Sequence, residues 1–254
     1  FNAIVGKVRP GDLGVDAMHI NLHKTFSTPH GGGGPGSGPV VLSEALAPFA
    51  PLPFVRKDAG GTFYLVEEEN REERGPSFGR MTAFHGQMGM FTRALAYILS
   101  HGADGLRQVS GDAVLNANYL LRSLDDVLDA PFAFSGPCMH EALFDDEWLK
   151  GTDVTTLDFA KAMIDEGFHP MTMYFPLVVH GAMLIEPTET ESKQELDRFI
   201  EAMRALAGAA KAGDVDRFKG APFHAPLRRL DETRAARSPR LRWSAPEGSN
   251  IAAE

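Results

Sequence analysis

Apolar residues recur every three or four positions in several stretches of the chain, which is the spacing that places side chains on one face of an α-helix. These stretches lie near residues 78–99, 105–125, 155–166 and 190–206. His101 and Gly102 predict a break between the first two helices. The first stretch carries a stripe of methionine, aromatic and aliphatic residues that we expect in the core: Phe84, Met88, Phe91, Leu95, Ile98 and Leu99.

Two helices carry a start signal. Thr155–Asp158 is a capping box, and Gly167 is suited to end the helix that follows. Thr188–Glu191 predicts the start of the last helix in the same way. We therefore assign helix capping, or interaction with the helix dipole, to three carboxylates: Glu186, Glu189 and Glu191.

Shorter segments predict strands. Met18–Leu22 alternates with period two and is expected to be the strand that delivers Lys24 to its place. Met139–Phe144 and Ala182–Ile185 also resemble strands, and the prolines between residues 40 and 66 favour an extended traverse. Since helices and strands alternate after residue 105, this part is expected to be a compact α/β or α+β domain, and we assign the chain to the α/β fold class.

The pattern divides the chain into three parts. Residues 1–104 contain Lys24 and a glycine-rich loop, and residues 105–215 form a small α/β domain. Residues 216–254 are rich in arginine and proline, and we expect a strap that packs Trp243 on the body while its arginines are paired or in water.

The composition of the chain argues against several classes of function. The chain has 254 residues with 43% hydrophobic content, enough for one large or two modest domains. A net charge of −9 argues against nucleic-acid binding, and no apolar run is long enough for a membrane helix. The single cysteine, Cys138, allows no internal disulfide and is better explained as a small buried hydrophobe than as a catalytic thiol. The charged run at residues 67–74 predicts a solvated loop or helix end.

A lysine beside a glycine run is the strongest candidate site. Asn21–Phe26 contains Lys24, and it is followed by His30 and by four glycines, Gly31, Gly32, Gly33 and Gly34. Glycine permits close approach of a bound molecule. A flexible linker would have polar flanks, whereas this segment lies between apolar residues.

The chemistry of this segment suggests an aldehyde cofactor. A lysine amine whose pKa is lowered forms a Schiff base with an aldehyde such as pyridoxal phosphate (PLP), whose phosphate needs nearby donors. Asn21, His23 and Thr25 are neighbours of the right kind, although Thr25 is better explained by local capping. No Gly-Lys-Ser/Thr sequence ends the glycine run, which excludes a nucleotide P-loop. We expect no metal, because the strand pattern separates His19 from His23, and Cys138 with His140 gives only two ligands.

The sequence Asn-Leu-His-Lys-Thr-Phe, with Pro29, His30 and the glycine run, resembles the cofactor-lysine region of glycine decarboxylase, the P protein of the glycine cleavage system. The later segments resemble subunit 2 of the split bacterial form of that enzyme. These are Pro137–Glu141, Gly167–Pro170, Ile185–Lys193, Arg229–Glu232 and Leu241–Trp243.

The resemblance implies a PLP-dependent transferase type I (aminotransferase-like) fold with part of the large domain and a small α/β domain. It implies PLP bound covalently to Lys24, with contacts from His23 and Asn21. It also implies a substrate wall formed by His30 and Gly31–Gly34, with glycine as the substrate. The implied partners are the lipoylated H protein and subunit 1 in an oligomer, in the bacterial cytoplasm or, in a eukaryote, the mitochondrial matrix.

One departure from the family limits what this chain can do alone. In this fold, the aspartate that pairs with the pyridine nitrogen and the residue that stacks on the ring lie far upstream of the lysine, and only 23 residues precede Lys24 here. We therefore expect an amino-terminal part to be missing and the isolated chain to be inactive. Two alternatives stay open: a non-catalytic structural subunit, and another type I PLP enzyme, such as an aminotransferase or an amino-acid decarboxylase.

Overall fold

The computed structural model describes residues 1–30 and 36–245, which form two compact units. Unit 1 comprises Phe1–Tyr119 together with two later segments, Pro137–Ala142 and Glu186–Ser192. Unit 2 comprises Leu120–Gly136, Leu143–Ile185 and the chain from Lys193 onward. The predicted domain limits at residues 104 and 215 differ from these units and stay predictions about independently folding parts.

Unit 1 begins with two short antiparallel pairs of strands. Strand β1 (Ala17–His19) leads to the single-turn helix α1 (Leu22–Thr25), and β1 pairs with β2 (Val40–Leu42). Strands β3 (Phe54–Lys57) and β4 (Phe63–Val66) form a hairpin. The predicted strand therefore ends three residues early, at His19. Leu22 belongs to the helical turn that carries Lys24.

Helix α2 (Met88–Leu124) is interrupted where the sequence predicted a break, because Gly102 has φ 63° and ψ −173°. Such a backbone conformation is open to glycine and rare for other residues. The part beyond Gly102 confirms the helix predicted for residues 105–125. It buries one stripe of small and aliphatic side chains: Val109, Ala113, Ala117, Leu120, Leu121 and Leu124.

The predicted start of the first helix, near residue 78, is wrong. Gly79 and Gly86 have φ values of 101° and 95°, so the chain cannot be helical before Met88. The stripe expected in the core is also largely exposed, with Leu99 at 72% and Met88 at 69% of their full accessible surface. A helical pattern identifies an apolar face, but it does not show that the chain itself covers that face.

A small apolar core holds helix α1 in unit 1. Leu22 and Phe26 are buried with Val5 and with Ala94 of α2. The Phe26 ring lies 5.8 Å from Phe1, measured between ring centroids. Since an isolated turn of helix is unstable in water, these contacts are what keep α1 folded.

Within its described residues, unit 2 contains a three-stranded sheet whose middle strand is the last of the three in sequence, together with several helices. The strands are β5 (Ala142–Phe144, whose first residue belongs to unit 1), β6 (Thr172–Met173) and β7 (Met183–Ile185). The helices are α3 (Thr156–Asp165), α4 (Lys193–Lys211), α5 (Val215–Lys219) and α6 (Glu232–Arg237). Phe144, Phe159, Met163, Leu206 and Phe218 are fully buried.

The capping box at Thr155–Asp158 is confirmed. Thr155 Oγ1 accepts from the Asp158 N–H, and the Asp158 carboxylate accepts from the Thr155 N–H. The second predicted box is wrong, because α4 begins at Lys193. Thr188–Glu191 instead belongs to unit 1, where Asn116 Nδ2 donates to the carbonyl oxygen of Thr188 at 3.0 Å.

The carboxy-terminal segment follows the prediction only in part. Arg229 is paired with Asp158 at 2.6 Å, as expected for a strap with paired arginines. Trp243, however, is 76% exposed, so it does not pack on the body. Within the described residues, no helix is both long and apolar enough to cross a membrane.

Candidate functional site

Lys24 lies on a helical turn whose two apolar ends are buried, while its own side chain is exposed. Leu22 and Phe26 are 5% and 7% exposed. Ser27 follows with φ 56°, a left-handed conformation that ends the turn. The sequence thus produces a short, anchored turn that presents a lysine amine to solvent.

His23 and His30 come together beside Lys24. Their rings are edge to face with centroids 4.6 Å apart. Burial lowers the pKa of His23, and the neighbouring charges of His30, Lys24 and His19 lower it further. Four groups that can be cationic thus lie close together, so this part of unit 1 favours an anion.

Asn21 does not cap helix α1, although it occupies the N-cap position. Its Oδ1 lies 2.6 Å from His19 Nε2. Gly38 faces this pair, and a Cβ there would lie 2.4 Å from His19 Cε1 and 2.6 Å from the Ile20 carbonyl oxygen. Glycine is required at this position because the two chain segments approach too closely for any side chain.

A cavity of about 420 Å³ opens on this side of α1. Ser37 Oγ is buried and finds no hydrogen-bond partner among the described residues. The residues that line the cavity are His19, Asn21, His23, Gly36, Ser37, Gly38, Phe84, His85, Gly86 and Phe91.

The structure brings together some of the predicted site residues. Asn21 and His23 line the cavity, whereas Lys24 and His30 adjoin His23 outside the lining. Gly31–Gly34 lie outside the described residues. Sequence reasoning missed Ser37 and His85, and the only signal for them was their position within or next to glycine-rich stretches.

A second polar group in unit 1 joins residues that are far apart in sequence. Thr25 Oγ1 donates to Asn2 Oδ1 at 2.6 Å, and Asn2 Nδ2 donates to Glu186 Oε1 at 2.5 Å. His140 Nε2 lies 3.8 Å from the same Glu186 oxygen. Glu141 is near both, since one donor atom from each of His140, Glu141 and Glu186 falls within 4.8 Å of the others.

The capping roles assigned to Glu186 and Glu189 are therefore wrong. Glu186 contacts Asn2, and Glu189 Oε1 accepts from the hydroxyl of Tyr97 at 3.2 Å. Burial, together with the charge of Glu189, raises the pKa of Tyr97 to about 12. Both glutamates precede α4 by several residues and bind elsewhere in unit 1, so they cannot cap that helix.

Comparison with known sequences supplies relatives of this chain. Residues 109–226 match a family described as glycine dehydrogenase, C-terminal domain. Probable glycine dehydrogenase (decarboxylating) subunit 2 from Caulobacter vibrioides is 76% identical over 254 residues, which is all of this chain and 48% of the relative. The protein with the same name from Kosmotoga olearia is 49% identical over 244 residues, covering 96% of this chain and 49% of the relative. The chain thus spans about half the length of these relatives.

Two solved structures share the fold. Glycine decarboxylase (P-protein) of the glycine cleavage system, in inhibitor-bound form, aligns with a TM-score of 0.62 and 23% identity, covering 79% of this chain and 46% of that one. Glutamate decarboxylase from Lactobacillus brevis aligns with a TM-score of 0.54 and 15% identity, covering 80% of this chain and 42% of that one. The alignments confirm the predicted type I (aminotransferase-like) fold.

Proposed function

We propose, from the premise that this chain is a relative of glycine dehydrogenase (decarboxylating) subunit 2, that it carries the cofactor lysine of a PLP-dependent glycine decarboxylase. The observation that carries the proposal is the exposed Lys24 on an anchored turn, next to the paired rings of His23 and His30. A lysine that forms a bond with an aldehyde must be accessible to it, and the phosphate of PLP is an anion that the neighbouring imidazoles would favour.

The residues around Lys24 suit PLP. The cofactor combines an aldehyde, which binds a lysine amine, with a phosphate, which needs N–H and O–H donors. His19 and His23 offer imidazole donors, and the buried hydroxyl of Ser37 is without a partner in the described part of the chain. When bound, PLP supplies an electron sink for the carbanion that decarboxylation leaves.

Each residue of the site then has a role. Lys24 would hold the cofactor through Nζ and carry a proton on the same atom. His23 and Asn21 would contact the cofactor from the cavity side. Because its pKa is lowered, His23 is neutral near pH 7 and can donate from one ring nitrogen and accept at the other.

The proposed substrate is glycine, and the proposed wall against larger amino acids is formed by His30 and Gly31–Gly34. A wall that approaches the substrate α-carbon closely leaves no room for a side chain, which is how a hydrogen-only substrate is selected. His30 supports this assignment, since it lies beside His23 and is exposed.

The proposal includes partners. The name subunit 2 of the relatives supports a split enzyme with a subunit 1, and the chemistry of glycine cleavage calls for a lipoylated H protein that accepts the aminomethyl group. The exposed apolar stripe on α2, including Met88 and Leu99, supports burial against a partner surface. We place this enzyme in the bacterial cytoplasm, supported by the bacterial sources of the relatives.

A glycine-dependent exchange assay tests the proposal. The full-length protein, assembled with its partner subunit and supplied with PLP and lipoylated H protein, should incorporate labelled bicarbonate into glycine. Lys24→Arg should reduce the exchange by at least about a thousandfold, because arginine forms no such bond with an aldehyde. Lys57→Arg, at an exposed lysine of the β3–β4 hairpin, is the matched control and should leave the rate unchanged. Undiminished exchange in Lys24→Arg would contradict the proposal.

A further inference from the structure

The turn that presents Lys24 is joined by one buried amide to a distant segment of unit 1. Asn2 is 7% exposed and Thr25 is 5% exposed, and a 2.6 Å hydrogen bond connects their side chains. The other end of the Asn2 amide binds Glu186, which lies 184 positions along the chain. Thr25 is the residue directly after Lys24.

The chemistry of the three groups fixes the direction of these hydrogen bonds. An ionised carboxylate only accepts, so the Asn2 nitrogen must face Glu186 and the Asn2 oxygen must face Thr25. The Thr25 hydroxyl is then the donor. Each group therefore has one orientation that satisfies its neighbours, and Glu186 indirectly sets the rotamer of Thr25.

The apolar contacts of α1 do not fix the rotation of the turn about its own axis. Leu22 and Phe26 bury their side chains against Val5 and Ala94, which holds the turn against the core. Apolar contacts are not directional, whereas a hydrogen bond is sensitive to angle. The Thr25–Asn2 bond is thus a side-chain directional contact that, together with the hydrogen bond from the Leu22 N–H to the Ser37 carbonyl oxygen at 3.3 Å, limits rotation of the turn about its own axis. Such a rotation would move Lys24 relative to the cavity that His19 lines.

We propose that Asn2 is a positioning residue for Lys24: it holds Thr25, and its own orientation is held by Glu186. The catalytic meaning of this inference rests on the function proposed above. The structural part, that these side chains fix the turn, can be tested without the cofactor.

Thr28 provides a matched control on the same segment. It is 7% exposed, much like Thr25, but its hydroxyl has no hydrogen-bond partner within residues 1–30 and 36–245. Replacing threonine by valine keeps the shape and removes the hydroxyl. Thr25→Val therefore removes the hydrogen bond, whereas Thr28→Val only removes a buried hydroxyl that bonds to nothing described.

The first experiment measures hydrogen exchange in the full-length protein, assembled with its partner subunit, before PLP is added. The amides to follow are those of Lys24 and Phe26, which donate to the carbonyl oxygens of Asn21 and Leu22. Thr25→Val should speed their exchange about tenfold or more, and Thr28→Val by less than about twofold. Equal exchange in the two variants would overturn the inference, whatever the protein does with PLP.

A second experiment asks whether the polarity of the amide matters. At pH 8, Asn2→Asp places a second carboxylate against Glu186 and should loosen the turn about as much as Thr25→Val. Adding Glu186→Gln restores a donor and an acceptor at each contact, since the introduced carboxylate then accepts from both of its neighbours. Exchange of the Lys24 and Phe26 amides that returns toward the wild-type rate in the double variant supports the inference. Exchange that is faster in the double variant than in either single variant contradicts it.

The readout for positioning is the absorbance of PLP bound to the protein, followed as a function of pH, with kcat and KM for glycine measured separately. Thr25→Val should shift the midpoint of this titration and lower kcat more than it raises KM. Thr28→Val should change neither. A lower Tm with an unchanged midpoint would show a purely structural role and refute the positioning role. If the wild-type protein takes up no PLP, the proposed function fails, while hydrogen exchange still decides the structural inference.

Discussion

The imidazole ring of His23 meets that of His30 edge to face, with the ring centroids 4.6 Å apart. Among the described residues, the influences on the His23 pKa are burial and the charges of His30, Lys24 and His19, and none of them is a carboxylate. All four influences lower that pKa. The pair thus keeps at least one imidazole neutral beside Lys24 near pH 7.

Removing His30 should raise the pKa of His23 toward its ordinary value of 6.5. Burial is the larger cause of the shift and stays in place, so the rise should be partial. The measurement is an NMR titration of the His23 ring proton in wild type and in His30→Ala. His224→Ala, at an exposed histidine of unit 2, should leave the His23 titration unchanged. An unchanged pKa in His30→Ala would show that the two rings do not interact in solution.

Gly38→Ala should damage the cavity, because the added Cβ would lie 2.6 Å from the Ile20 carbonyl oxygen. Backbone cannot move aside as a flexible side chain can, and overpacking of this kind costs about 1–3 kcal/mol of unfolding free energy. Gly36→Ala is the control, since an added Cβ there meets no atom of residues 1–30 or 36–245 within 4 Å. Urea unfolding of both variants checks the prediction. Equal stability would mean that the two segments are not in close contact.

Asp158 should make the stability of unit 2 sensitive to acid. Burial alone would raise its pKa, but hydrogen bonds from Lys219, Thr155 and Arg229 outweigh burial and lower the pKa to about 2. A carboxylate whose pKa is 3.8 when unfolded and about 2 when folded stabilises the protein by about 2 kcal/mol above pH 4. That contribution is lost as the pH falls from about 4 to about 2.

Urea unfolding of Asp158→Asn as a function of pH tests this. The variant should be less stable than wild type at pH 7, and the difference should shrink below pH 4. Asp126→Asn breaks an exposed ion pair with Arg204. It should change the free energy of unfolding much less, because solvent and salt screen that pair. A difference for Asp158→Asn that stays constant from pH 7 to pH 2 would contradict the assigned charge.

Tyr97 should resist ionisation until about pH 12, because burial and the neighbouring charge of Glu189 raise its pKa. Glu189→Gln removes the charge and should lower the pKa toward 10.0. Ultraviolet titration of the tyrosine absorbance, with Tyr97→Phe to assign the signal, measures this. Glu191→Gln is the control and should have little effect on the pKa of Tyr97. A Tyr97 titration that is the same in wild type and Glu189→Gln would rule out the hydrogen bond between them.

Local signals in the sequence were more reliable than signals that depend on distant packing, although the local capping pattern at Thr188–Glu191 also failed. The capping box of α3 was predictable because Thr155 and Asp158 are three positions apart. The resemblance to glycine decarboxylase, recognised at the segment around Lys24, is confirmed by relatives along the whole chain. Both depend on residues that are close in sequence.

The errors have a common physical origin. Periodicity showed that Met88 and Leu99 share an apolar face, but burial requires a second surface, which the pattern of one helix does not reveal. Glu186 resembled a capping residue because a helix follows it, whereas its partner is Asn2 at the other end of the sequence. Contacts between residues this far apart in the sequence leave no periodic pattern in it.

The proposed function depends most on Lys24 as the residue that holds PLP. Borohydride reduction of the assembled full-length protein with PLP, followed by peptide mass mapping, tests this directly. We predict one pyridoxyl group, on the peptide that contains Lys24, and its absence in Lys24→Arg but not in Lys57→Arg. A label on any other lysine, or no label on a protein that still exchanges glycine with bicarbonate, would contradict the account.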